Sequence, residues 1–255
     1  MITVPIEDVG DVTFQMAPFD GMEEVRLGFR IAGEGSDEHW LNRYAACLTS
    51  SNFGDNSDAF LRKSTGCPYG KMCHTELMMQ VQPDVWTRHS IYLGTVDPET
   101  NQIEPGKVHI KMVDDEEVQS KFDHSTNKRY EILPLMVNRE DQFNAMKFLV
   151  AQTDSPFNKK AYYYNLIPGF NFGTQRYDYS MNQAQRPWFC TELVVCALQA
   201  MVANPMARKN QYWGDKLWDM NANHSSPNSL YRTLKGTREV RNAFFRHGDR
   251  PSMSL

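Results

Sequence analysis

Trp188-Phe189-Cys190-Thr191-Glu192-Leu193-Val194-Val195 is the stretch on which the reading of this chain turns. From Leu193 the apolar residues Leu193, Val194, Ala197, Leu198 and Met201 recur at helical spacing. That spacing predicts a helix over 191–203 with one face buried. Pro187 stands just upstream, where the approach to a helix tolerates proline. Cys190 therefore falls near the first turn. Unpaired backbone N–H groups and the positive end of the dipole favour thiolate over thiol there, and the thiolate is the nucleophile. A buried, inert cysteine fits the same pattern, so position alone does not make Cys190 functional.

A second chemical group lies far upstream, in Tyr69-Gly70-Lys71-Met72-Cys73-His74-Thr75-Glu76-Leu77-Met78-Met79-Gln80. This segment follows a Gly66-Cys67-Pro68 turn signal and reads as a strand that is largely apolar after Glu76. A histidine opening a strand beside a helix-borne cysteine is the pair a thiol nucleophile needs. The imidazole takes the thiol proton and later returns it to the leaving group. Only the fold can bring two residues so distant in sequence together.

The remaining pattern predicts strands over 12–14, 25–31, 85–92 and 107–113, the second by its alternation of Val25, Leu27, Phe29 and Ile31. Residues 59–64 read as a short helix or turn, and 97–106 as a polar loop with Pro98 and Pro105. Helices are expected over 140–152, with Phe143, Met146, Leu149 and Val150 on one face, over 205–218 and over 228–235. Helices outside a small antiparallel sheet make an α+β domain.

The order of these motifs resembles the circularly permuted, papain-like NlpC-type cysteine hydrolases, in which histidine precedes cysteine. Gly10-Asp11-Val12-Thr13-Phe14 is similar to the family's opening strand. Ser57-Asp58-Ala59-Phe60-Leu61-Arg62-Lys63-Ser64-Thr65-Gly66-Cys67-Pro68-Tyr69 is similar to the segment leading into the histidine strand. His74-Thr75-Glu76-Leu77 resembles the His-x-Glu-Leu form of virus-encoded members, and Lys160-Ala161-Tyr162-Tyr163-Tyr164-Asn165 the tyrosine-bearing stretch before the nucleophile. Phe189-Cys190-Thr191-Glu192-Leu193-Val194 resembles the Phe-Cys-Ser-Glu-Leu-Val nucleophile helix, and Ser226-Pro227-Asn228-Ser229-Leu230-Tyr231 a late Ser-Pro-x-x-Leu element. The likeness runs from about Gly10 to Leu234. It implies an α+β, permuted papain-like fold, a small antiparallel sheet or barrel packed against helices that include the nucleophile helix. It also implies one domain over 1–255, with insertions near 32–55 and 168–187 and a loose C-terminal tail.

The activity implied is thiol hydrolysis of a peptide, isopeptide or acyl-ester substrate. Cys190 is the nucleophile, His74 the base and then the acid, and the Cys190 amide helps to hold the oxyanion. A third residue must orient the imidazole, and the family supplies it from the next strand. His89 is the first choice, and Ser90 replaces it if the register shifts by one residue, because that shift exchanges the two faces. His109 on the following strand and Glu76, two residues from His74, are further candidates. A different reading stays open: a structural or interaction protein that retains the fold and joins protein partners in a larger assembly such as a virus particle.

The aromatics Tyr162, Tyr163, Tyr164, Phe170, Phe172, Tyr177 and Tyr179 read mainly as a packed wall, and the resemblance implies that Tyr162 to Tyr164 are the ones to reach the site. Composition narrows the rest. At 255 residues and 41% hydrophobic content the chain can bury one substantial core. A net charge of −4 and a pI near 6.0 argue against a nucleic-acid or membrane-surface binder. Five cysteines form no disulfide framework, which points to a reducing compartment, cytoplasmic or within a virion. Cys67, Cys73 and His74 match no standard zinc spacing, so neither metal nor cofactor is expected. The N-terminal residues lack a basic region followed by an apolar core, and no run approaches a membrane span.

Overall fold

The structure, a computed structural model, describes residues 1–15, 22–31, 72–91, 94–96, 103–114, 116, 130–158, 186–211, 213–222 and 225–235. The two expected insertions, apart from Arg186 and Pro187, lie outside these residues. So do the 59–64 segment, the tyrosine-bearing stretch and the C-terminal tail.

The fold is mixed α+β, and its centre is a five-stranded antiparallel sheet. In chain order its strands are β3 (Met22–Ile31), β4 (Met72–Gln82), β5 (Val85–Ile91), β8 (Val108–Asp114) and β9 (Tyr130–Asn138). In space they run β8-β5-β4-β3-β9, which places β4 in the middle. Two small hairpins accompany it: β1 (Ile2–Ile6) with β2 (Gly10–Phe14), and β6 (Gly94–Val96) with β7 (Ile103–Pro105). The β1–β2 hairpin is tied to the sheet by the Glu7 amide donating to the Ile110 carbonyl at 2.8 Å.

β4 and β5 form a hairpin closed by Pro83 and Asp84, with Gln82 paired to Val85. Pro83 fixes its own φ, and Asp84 takes the left-handed conformation at φ +61°, which Asp tolerates better than most residues. One face of the sheet carries Val25, Leu27, Phe29, Leu77, Met79, Ile91, Val108, Ile110, Leu133, Leu135 and Val137 into the main core. That alternation is the period-2 pattern of the sequence.

Of the helices α1 (Arg139–Ala151), α2 (Cys190–Met201), α3 (Pro205–Asn210), α4 (Gly214–Trp218) and α5 (Pro227–Leu234), α1, α2 and α5 pack against the sheet, α4 lies on α2, and α3 lies on α4. α2 departs from its expected amphipathic form, since every residue from Thr191 to Met201 is buried. It lies against β4 on one side and α1, α4 and α5 on others, so it is covered all round. α5 opens with a capping box, in which Ser226 and Ser229 satisfy each other's backbone amides and Pro227 occupies the first turn.

The opposite sheet face is buried as well, with a different chemistry. Met78, Trp86 and Val113 form a small apolar cluster there. Arg26 stacks over the Trp86 ring at 4.3 Å and pairs with Glu24. His74, Glu76, Arg88 and Ser90 continue the same face. Among the described residues no helix is long and apolar enough to cross a membrane.

Candidate functional site

Cys190 is the first residue of α2, preceded by Phe189 in extended conformation at the N-cap. Phe189 offers no side-chain oxygen to the first turn, so the amides there are served by other groups. The Cys190 sulfur is one of them: it faces the backbone N–H groups of Cys190 and Thr191, and also that of Thr75 on β4. The Thr191 hydroxyl lies 3.8 Å from it. The contact with the Thr75 amide places the thiol one residue along the chain from His74. The β4–β5 register runs from Gln82↔Val85 to Leu77↔His89. Thr75 lies beyond its end, and there its amide meets the thiol.

The approach to Cys190 is fixed from behind. Trp188 is fully buried, donates from Nε1 to the Gln152 side chain at 2.9 Å, and packs edge-on against Phe148. Its backbone is pinned on both sides, Trp188 N–H to the Pro156 carbonyl and Asn158 N–H to the Trp188 carbonyl. Arg186 stacks over the Trp188 ring at 3.8 Å and reaches the Glu192 carboxylate at 2.9 Å. On the β4 side, the Met72 amide donates to Asn228 Oδ1 at 3.2 Å, so the first turn of α5 holds the start of the histidine strand.

His74 Nε2 lies 3.1 Å from the Ser90 hydroxyl, and both residues are buried. The residue that meets the His74 ring from the next strand is thus Ser90. His89 sits on the other face of β5, opposite Leu77, with its Nε2 3.0 Å from the Thr87 hydroxyl. Its ring is fully buried and is not brought to His74 by that bond. His109 pairs directly with Ser90 from β8 and is partly exposed. Glu76 shares the His74 face and approaches Arg88 Nε at 3.9 Å. Gly28 stands across from Glu76, and a Cβ there would come within 3.0 Å of the Glu76 side chain.

Burial dominates the electrostatics. It lowers the His74 pKa to about 3, assisted by the positive charges of Arg30 and Arg88 and by His109. His89 is likewise lowered to about 3 by burial, with His109 contributing. Burial also pushes the Cys190 thiol above its ordinary value, although part of the residue reaches solvent, and the surrounding amides only partly offset this. The depressed thiol pKa expected from the helix start is therefore overturned. Three amides favour the thiolate, and the loss of hydration outweighs them. At rest the thiol and the His74 imidazole are both neutral.

Glu192 in the same first turn is raised to about 7, burial again outweighing its ion pair with Arg186. The sequence reading passed over Arg186, Glu192, Asn228 and the Thr75 amide. The Ser226-Pro227-Asn228-Ser229 cap was a readable signal for Asn228, whereas nothing local marks a backbone amide as a thiol partner. Among the described residues no group of three or more His, Cys, Asp or Glu is arranged to hold a metal ion. No protein-family model, no curated protein and no solved structure matches the chain.

Proposed function

We propose that the protein is a thiol hydrolase of the permuted papain-like kind, acting on an amide, isopeptide or ester bond. The observation that carries this reading is the meeting of Cys190 with the Thr75 amide, which sets the sulfur beside the His74 backbone. His74 in turn is held by Ser90. In the proposed reaction the Cys190 sulfur attacks the carbonyl carbon while its proton passes to His74. The oxyanion is stabilised by the Cys190 amide and a neighbouring donor, and His74 then delivers the proton to the leaving nitrogen or oxygen. Water hydrolyses the acyl-sulfur bond in the second half, with His74 again taking and returning a proton.

Because both groups rest neutral, proton transfer belongs to the attack step and does not precede it. Ser90, rather than His89, takes the orienting role in this scheme, its hydroxyl fixing the imidazole through Nε2.

The test is turnover of amide, isopeptide and ester probes together with mass-spectrometric trapping of an acyl adduct. Wild type should turn over at least one class and carry the adduct on Cys190, and Cys190→Ala should lose both while keeping its fold. Turnover that survives Cys190→Ala overturns the proposal.

Burial that keeps both the Cys190 thiol and the His74 imidazole neutral favours a second reading, a structural component of a larger assembly that retains the fold. In that case no probe is turned over, Cys190→Ala assembles like wild type, and partner binding depends on surfaces away from the thiol.

A further inference from the structure

Glu192, in the first turn of α2, forms with Arg186 an ion pair that the proposed reaction does not use, its carboxylate buried and its guanidinium partly exposed. The Glu192 side chain is 2% exposed and meets the Arg186 guanidinium at 2.9 Å, and the centre of that guanidinium lies over the Trp188 ring at 3.8 Å. The Phe189 backbone N–H also faces the Glu192 carboxylate. One carboxylate thus touches the groups on both sides of Cys190: the segment that enters the helix and the turn that follows it. Phe189 has no side-chain cap of its own, so Glu192 supplies from the third helical position what a capping box would supply there. Burying a charge pair in this way is costly and is not by itself a stabilising device. Its geometric effect is specific, because it fixes the angle at which the chain enters α2 and hence where Sγ sits.

We propose that Glu192, locked by Arg186 on the Trp188 ring, is a positioning residue for Cys190 that holds its sulfur against the Thr75 amide. This deepens the hydrolase reading and rests on it for its catalytic meaning, but the placement of the sulfur can be measured without turnover.

The measurement is the pH profile of iodoacetamide alkylation of Cys190 in the full native chain, mapped by mass spectrometry. Cys196, fully buried within the same helix and itself in contact with Arg186 and near Glu192, reports whether the fold stays closed around it. Glu192→Gln keeps an oxygen for Arg186 and should retain the wild-type midpoint. Glu192→Leu should move the Cys190 midpoint toward that of an ordinary free thiol and leave Cys196 unreactive. Arg186 is about a third exposed, so Arg186→Gln should fold even if Glu192→Leu does not. It should shift the Cys190 profile in the same direction. A folded Glu192→Leu or Arg186→Gln protein whose Cys190 midpoint matches wild type overturns the positioning role. Absence of turnover in wild type, with these shifts present, overturns the hydrolase reading and leaves the positioning intact.

Discussion

Cys190 and Cys196 share a helix and differ in what reaches their sulfurs. Both thiols are raised by burial, but only Cys190 meets the helix-start amides and the Thr75 N–H. Alkylation of Cys190 in the resting protein should therefore titrate above the ordinary thiol value of about 8.5, while Cys196 stays unmodified until the protein unfolds. A Cys190 midpoint below that value would mean a resting thiolate and would contradict the neutral pair. Ser90 is the second residue whose removal is informative. Ser90→Ala leaves the buried His74 Nε2 without the hydroxyl, which should cost about 1–3 kcal/mol in denaturant unfolding. Under the hydrolase reading it should also lower kcat more than KM, because an unheld ring misplaces the proton. An unchanged kcat in a folded Ser90→Ala protein would remove Ser90 from the mechanism. From the sequence His89 is the first choice, Ser90 its replacement on a one-residue shift, and His109 and Glu76 further candidates, whereas the hydroxyl that meets His74 is that of Ser90. A strand's period is written in its side chains, but its phase is set by its neighbours, here Leu77↔His89.

Elements whose apolar residues recur regularly were legible. β3, β4, β5, β8, α1 and α2 all fall where periodicity predicts them, within a few residues at their ends. β9 was missed because Pro134 interrupts its apolar run. The strand lies at the sheet edge, where a missing N–H is tolerated, and Pro134 stands opposite Arg26. β7 falls within the 97–106 stretch that reads as a polar loop, and β6 lies just before it, between that loop and the strand read over 85–92. The single helix expected over 205–218 is two short ones, α3 ending at Asn210 and α4 starting at Gly214. α1 shows how a helix can be fastened through its first residue. Arg139 donates to the Gln80 and Val81 carbonyls at 2.8 and 2.9 Å, at the end of β4. Gln142 also serves the Gln80 carbonyl, so Arg139→Met deprives Val81 more than Gln80. The expected loss is about 1–3 kcal/mol, the cost of one buried acceptor left unmet. Urea unfolding measures it, and a loss within error would show that the guanidinium is replaceable.

Stability of the whole molecule against pH follows from groups of opposite sign. His74 and His89, held neutral to about pH 3 in the fold, take up protons near 6.5 when unfolded. Their contribution is complete above pH 6.5 and falls away as the pH drops toward 3, and His109, also lowered by burial, acts in the same sense. Glu192 does the reverse. Its fold-state pKa of about 7 lies above its ordinary 4.5, so its contribution is complete below 4.5 and is lost as the pH rises to 7. Asp141, raised by burial, adds to it. Each proton of difference changes stability by about 1.4 kcal/mol per pH unit, so the carboxyls soften the histidine slope between 4.5 and 6.5. Below 4.5 Glu192 no longer offsets the histidines, and stability should fall steeply. Urea unfolding across pH 3–8 should give a maximum near neutrality, and constant stability down to pH 4 would refute the buried, neutral histidines.

The strand pairings also set how fast such a molecule can form. On β3, Leu27 pairs with Leu77 on one side and with Leu133 on the other. The bond from Met72 to Asn228 spans 156 residues of chain. The centre of the sheet therefore assembles from segments distant in sequence, and the entropy of bringing them together is lost before any contact rewards it. Refolding followed through the buried Trp86, Trp188 and Trp213 should take milliseconds to seconds, and recovery of native fluorescence within microseconds would refute it. Until β9 arrives, β3 presents an open edge to solution. The yield of refolded protein should accordingly fall as its concentration rises, a race between the chain's own last strand and a neighbour's.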